Sequence, residues 1–235
     1  MGSAPGAMTM NLQRPSRMAS AKSRVITLAF LSPALPAALL GRQIARALTA
    51  ETDEPVALVQ LTRPASGDTT TIRRGAVGLS GEFPLPAEIP NGEHGYYSLT
   101  LGENGELYQP DWIPSLVEQL RRRFRYVLIQ VVVDEVFGPS LIELLQQSNS
   151  GCLFVRAASE DVYHLDLLVR ELRDRHYIGQ FKPVLCLRDG ENVDGFDALI
   201  ERVCRPVDIF IRGCPNGADP TGQPAGSFAA DARRL

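Results

Sequence analysis

The sequence has few cysteines and no long apolar run near its start. Its four cysteines, Cys152, Cys186, Cys204 and Cys214, include no C-x-x-C pair, which argues against zinc and thioredoxin-type motifs. No apolar stretch long enough for a signal-peptide core precedes Arg24, and the apolar run that follows is interrupted by prolines and too short to cross a bilayer. We therefore expect a cytoplasmic protein without a membrane span, whose cysteines are mostly buried free thiols.

A strong charge of either sign is also missing. The formal net charge is −3 and the pI is near 5.7, so nothing in the overall charge indicates a nucleic-acid partner. With 235 residues, of which 44% are hydrophobic, the chain suits one domain with tails. We expect a flexible N-terminal tail over 1–22, a folded domain over 23–213 with an insertion over 62–95, and a C-terminal tail or linker over 214–235.

Apolar runs of strand length alternate with amphipathic helical patterns along the domain. The most hydrophobic run, Tyr126 to Val133, is typical of a central strand buried on both faces. Seven strand-like and five helix-like segments follow one another, with capping residues predicted at Ser159 and Asp194. This alternation predicts an α/β fold of three layers, with a mostly parallel central sheet of about seven strands.

The first strand–loop–helix unit, Arg24 to Leu48, lies where α/β proteins usually bind phosphate. A strand, Val25 to Leu31, leads into a proline-bearing loop and then into a helix with apolar residues at helical spacing. A phosphate-binding loop needs glycines that let the backbone wrap the anion and a lysine that reaches it. The loop from Ser32 to Pro36 contains neither.

This unit resembles the first βα unit of the ParA/MinD family of deviant Walker A ATPases. Residues 43–48 align with the family's N-L-A-x-x-L helix, which places its lysine–threonine–threonine on Ala37, Ala38 and Leu39. Its glycines fall on Pro33, Ala34 and Pro36. The resemblance therefore implies the family's fold with a degenerate phosphate loop, comprising Ser32, Pro33, Pro36, Ala37 and Ala38.

Two further family signatures are missing at matched positions. Gln60 and Thr62 stand at the end of the second strand, where the family has acidic residues, and Gln130 stands at the Walker B aspartate. A neutral amide supplies no carboxylate for Mg²⁺. Asp134 follows four positions on, about 13 Å along a strand, and Glu135 comes next, at the edge where α/β sheets bind ligands.

Other chemistries find no support in the sequence. The three histidines, His94, His164 and His176, are scattered and form no metal-ligand spacing. No G-x-S-x-G or G-x-G-x-x-G motif is present. We therefore predict neither a cofactor nor a metal.

The insertion over 62–95 is rich in Pro, Gly and Thr and has no sustained periodicity. It suits either a variable surface loop or a partner-binding loop that uses Phe83, Leu85 and Ile89. Together with Asp134 and Glu135, these residues form our predicted ligand or partner edge.

The resemblance favours a module without catalysis that acts in regulation or scaffolding. Degenerate domains of this kind also occur between cyclic-nucleotide-binding and patatin phospholipase domains in bacterial proteins similar to neuropathy target esterase, and residues 227–235 resemble the approach to a patatin domain. The partner would then be another protein, a downstream catalytic domain or a second copy of the chain. Two alternatives remain: an ATPase of atypical chemistry using Asp134 or Glu135, and a binding protein for a small molecule at the carboxyl edge of the sheet.

Overall fold

Seven parallel strands form one sheet. A computed structural model of the chain describes residues 23–61, 95–101, 113–133, 139–177, 180–188, 191, 195–204, 207 and 209–212. The strand order is β3-β2-β4-β1-β5-β6-β7, and every pair in it is parallel. The strands are β1 Arg24–Phe30, β2 Val56–Leu61, β3 Tyr97–Leu101, β4 Tyr126–Val132, β5 Ser150–Arg156, β6 Gln180–Cys186 and β7 Ile209–Ile211.

Helices cover both faces of this sheet. Those in the described part of the chain are α1 Ala37–Thr52, α2 Ile113–Arg123, α3 Pro139–Gln147, α4 Ser159–Asp174 and α5 Phe196–Val203. Buried residues of α1 join one core cluster, while those of α2, α3, α4 and α5 join the other. The predicted three-layer α/β fold is confirmed.

The two core clusters divide the central strands by residue parity. In β1, Val25 and Ala29 face the α2 side, whereas Leu28 and Phe30 face α1. Successive side chains of a strand point to opposite faces, so a strand covered on both sides must be apolar throughout. Phe30 stacks on Phe154 of β5 with ring centroids 4.4 Å apart, which joins the two neighbouring strands on the α1 side.

The chain order changes direction at β1. β1 lies between β4 and β5 in the sheet, and the chain leaves it through α1 over one face, whereas it runs from β4 to β5 through α3 over the other face. Doubly wound sheets bind ligands outside the carboxyl ends of the strands at such a switch point. The β1–α1 loop therefore lies at the position where sheets of this kind bind ligands.

Two predicted caps are wrong. The residue preceding α4 is Ala158, which makes no side-chain capping hydrogen bond, so Ser159 is the first helical residue instead of the cap. Gly195, in the left-handed region at φ 94°, occupies the position before α5 where we had expected Asp194. Glycine adopts that conformation without the steric cost that a Cβ brings. Strand positions agree more closely: β1 lies one residue earlier than the predicted Val25 to Leu31, and β4 begins at the predicted Tyr126 and ends one residue before Val133.

No helix in the described ranges is both long and apolar enough to cross a membrane.

Candidate functional site

The loop between β1 and α1 closes on its own backbone. The Leu35 N–H donates to the Ser32 carbonyl at 3.1 Å, and the Ala37 N–H donates to the Leu35 carbonyl at 2.8 Å. The Ala34 N–H reaches the Ser32 Oγ at 3.3 Å. Pro33 and Pro36 have no N–H to offer. Each backbone N–H group from residue 33 to residue 37 is thus bonded within the turn or missing.

The loop buries one apolar side chain. Leu35 is 5% exposed and belongs to the same core cluster as Phe30 and Leu40. Ser32 is buried as well, whereas Pro33 and Ala38 are exposed. The five predicted residues of the degenerate loop lie together in one short turn. Leu35, between them in the sequence, packs into the core.

The start of α1 offers little to a negative charge. Its N-cap is Pro36, which has no N–H group, and its first four residues are Ala, Ala, Leu and Leu, which carry no basic or hydrogen-bonding side chain. The Leu39 and Leu40 N–H groups both donate to the Pro36 carbonyl at 3.0 Å. Anion binding at a helix N-terminus depends on N–H groups directed at the ligand, and these two are directed into the helix.

A pair of amides lies beneath the loop. Gln60 of β2 and Gln130 of β4 are register partners, and the Gln60 Nε2 donates to the Gln130 Oε1 at 3.4 Å. Gln130 is 1% exposed. A Cβ added to Gly41 of α1 would lie 2.0 Å from the Gln130 Oε1. Two of the positions where the resemblance places acidic residues therefore hold neutral amides in contact with each other.

The neighbouring strand ends carry charges that are already paired. Asp161, at the start of α4, is buried and accepts from the Arg156 backbone N–H at 2.9 Å. It also accepts from the guanidinium, from Nε at 3.1 Å and Nη2 at 2.8 Å. The hydrogen bond to Asp161 raises the pKa of Arg156, although burial opposes the shift. After β6, the Arg188 backbone N–H donates to the Glu191 carboxylate at 2.9 Å, and the guanidinium lies 3.9 Å from it.

The Arg156–Asp161 pair is not predicted by the sequence. Asp161 lies in the first turn of α4, where an acid suits the helix dipole and needs no further partner to explain it. The only local signal was an arginine ending a strand five residues before an acid, and that spacing alone does not predict a contact. Our predicted edge residues Asp134, Glu135, Phe83, Leu85 and Ile89 lie outside the described residues.

The thiols of the described cysteines fit a structural role. Cys152, Cys186 and Cys204 are thiols outside any disulfide; the first two are buried, as predicted, and Cys204 is partly exposed. Burial raises the pKa of the Cys152 thiol from an ordinary 9.0 to about 12, with a smaller opposing effect of Lys182. Such a thiol is protonated at neutral pH and is a poor nucleophile. Across the described ranges, no three His, Cys, Asp or Glu residues converge on a metal-sized site.

No protein-family model matches this sequence, and no curated protein resembles it in sequence. Solved structures do resemble it in shape. A ParA family ATPase from Chlorobium tepidum is 13% identical, with a TM-score of 0.68 over 91% of this chain and 98% of that chain. The MinC:MinD cell division complex of Aquifex aeolicus gives 13% identity and a TM-score of 0.64, covering 90% of this chain and 95% of that chain.

The septum site-determining protein MinD of Pyrococcus horikoshii, complexed with Mg-ADP, is also similar. It is 13% identical with a TM-score of 0.61, over 89% of this chain and 94% of that chain. Identities this low establish only that the folds are alike. The likeness extends over nearly the whole length of both chains. This chain has the ParA/MinD-like P-loop NTPase fold.

Proposed function

We propose that the chain is a non-catalytic ParA/MinD-like domain that acts as a regulatory or scaffolding module. The observation that carries this proposal is the closed β1–α1 loop, whose N–H groups from residue 33 to residue 37 bond within the turn or are missing, and whose Leu35 is buried in the core. A nucleotide would have to break these hydrogen bonds before it met the N–H groups of the turn.

Electrostatics adds to this argument. A triphosphate needs compensating charge from a lysine in the loop and from Mg²⁺ held by a carboxylate. The loop has no lysine, and the amide of Gln130 bonds to Gln60 where a carboxylate would be needed. The loop and the β4 position therefore lack the two charges on which phosphoryl transfer depends.

An ATPase of atypical chemistry would have to draw its cations from elsewhere at the same edge. Arg156 ends β5 and Arg188 follows β6. The Arg156 guanidinium is paired with Asp161, and the Arg188 guanidinium is paired with Glu191. Recruiting Arg156 would leave the buried Asp161 carboxylate without its partner, which costs several kcal/mol. The edge is better suited to holding the fold together than to binding phosphate.

Isothermal titration calorimetry with Mg²⁺-ATP tests this proposal. We expect no binding by the full chain, and a dissociation constant in the low micromolar range would contradict the proposal. A triple variant, Pro36→Gly, Ala37→Lys and Ala38→Thr, restores the family's residues at matched positions. If this variant folds and gains measurable affinity, the loop is the feature that has lost the function.

A folded domain without chemistry works through contacts. We propose the insertion over 62–95, with Phe83, Leu85 and Ile89, as one such contact surface, and Asp134 and Glu135 as a second. The setting that we propose is a larger protein with cyclic-nucleotide-binding and patatin phospholipase domains. Phospholipase activity of a co-expressed patatin domain, measured with and without this module, tests that setting, and equal activities would count against it.

A further inference from the structure

A cluster of arginines lies at the edge of the sheet opposite the β1–α1 loop. We call it the amino-edge patch. All strands are parallel, so their first residues share one edge, and β1 and β4 begin there in register. The Arg24 N–H donates to the Arg125 carbonyl at 2.9 Å, and α2 ends at this edge with three arginines in its last turn. The patch consists of Arg24, Arg121, Arg122, Arg123 and Arg125.

Much of the patch faces solvent. Arg24, Arg122 and Arg123 are exposed. The Arg122 guanidinium is 73% exposed although it pairs with Glu118 at 3.1 Å, and a pair this exposed gives little stability. The Arg121 Nη2 donates to the Gln147 carbonyl, which fixes one guanidinium in place at the side of the patch.

The helix dipole explains only part of this cluster. Cations in a last turn are favourable there, which accounts for Arg121, Arg122 and Arg123. It does not account for Arg24 and Arg125, which lie at the starts of strands. Nor does it account for residues 1–22, which lead directly into Arg24 and contain three basic residues and no acidic one, although the whole chain has a net charge of −3.

The positive surface ends within the same edge. The end of α1 and the connection to β2 reach this edge on the other face of the sheet. They carry three acidic residues, Glu51, Asp53 and Glu54. A long polyanion lying across the whole edge would meet these carboxylates as well as the arginines. A short acidic segment needs to touch only the patch, and guanidinium groups bind carboxylates through paired hydrogen bonds.

We propose that the amino-edge patch binds a short acidic segment of a partner protein. This goes beyond the regulatory role proposed above, because the patch lies at the opposite edge from the loop. Its test is therefore independent of whether the chain binds ATP.

The test is fluorescence anisotropy with the full chain and a labelled short oligoglutamate peptide at low ionic strength. We expect salt-sensitive binding that falls at least about tenfold in the variant Arg24→Gln, Arg122→Gln, Arg123→Gln. A control variant, Arg46→Gln, Arg202→Gln, Arg212→Gln, makes the same charge change at exposed residues elsewhere and should stay within about twofold of the parent. Circular dichroism confirms that each variant is folded.

Three outcomes would overturn the proposal. The first is no binding of the peptide by the parent chain, and the second is an equal loss in the patch and control variants. The third is tighter binding to a DNA duplex or to vesicles containing phosphatidylserine than to the peptide, which would make the patch a site for nucleic acid or lipid instead.

Discussion

Gly41 of α1 and Gln130 of β4 are in such close contact that a side chain at position 41 would collide with the Gln130 amide unless that amide moved. A Cβ there would lie 2.0 Å from the Gln130 Oε1 and 3.1 Å from its Cδ. Gln130 is buried at 1% exposure, so its amide has little room to turn away. This contact brings the first half of α1 against the sheet.

We therefore predict that Gly41→Ala destabilises the fold. In an open helix interior the same change stabilises, by about 0.4 to 1 kcal/mol. Here the new methyl group must displace the Gln130 amide from its hydrogen bond to Gln60, and overpacking of this kind costs about 1 to 3 kcal/mol. Urea denaturation followed by circular dichroism measures the difference.

A double-mutant cycle isolates the contact. In a Gln130→Ala background the obstructing amide is absent, so Gly41→Ala should cost much less there than in the parent. An equal cost in both backgrounds would show that the strain lies elsewhere in α1.

A second prediction concerns Asp161. Its carboxylate accepts three hydrogen bonds from Arg156, and its side chain is 2% exposed. Asp161→Ala removes these bonds and leaves the half-buried guanidinium without its partner, so we expect a loss of about 3 kcal/mol. The control is Glu118→Ala, which breaks the exposed pair with Arg122 and should change stability by less than about 1 kcal/mol. Equal effects in urea denaturation would mean that burial at Asp161 adds nothing.

The architecture could be predicted from the sequence because the strands are continuous apolar runs and the helices carry apolar stripes at helical spacing. Each strand of the described chain corresponds to a predicted segment, and the missing glycines and lysine predict a loop without the anion-binding chemistry of a phosphate loop. The order of the strands in the sheet could not be predicted from the sequence. β4 lies between β2 and β1, but strands that are apolar on both faces carry no pairing code in sequence.

Details of the site depended on contacts across the fold. Nothing in the loop's composition shows that the Ser32 carbonyl would accept from Leu35, or that Leu35 would join the core. The contact of Gly41 with Gln130 links residues far apart in sequence. Such contacts appear only when the topology has brought the elements together.

A third prediction follows from the Cys152 thiol, whose pKa burial raises from 9.0 to about 12. Between these two pH values the unfolded chain releases the thiol proton while the folded chain keeps it. The folded state thus binds more protons, so its stability should fall as pH rises above 9, with this group contributing up to about 1.4 kcal/mol per pH unit. Urea denaturation from pH 8 to pH 10 should show a shallower decline in Cys152→Ala. Identical slopes would contradict the raised pKa.

The last prediction concerns the insertion between β2 and β3. These strands pair in parallel, so the end of β2 and the start of β3 lie at opposite edges of the sheet. Parallel neighbours need a crossover of about a dozen residues or more, so deleting residues 66–92 would damage the connection as well as any contact surface. Substitution is the cleaner experiment.

We predict that Phe83→Ser, Leu85→Ser and Ile89→Ser together change the free energy of unfolding by less than about 1 kcal/mol, because residues that serve a partner surface add little to the isolated fold. Leu99→Ala in β3 is the matched control. Leu99 is 7% exposed and lies in the core, so its truncation should cost about 2 to 5 kcal/mol. A loss in the triple variant as large as the loss from Leu99→Ala would place these three side chains in the core of the domain and remove them from the proposed contact surface.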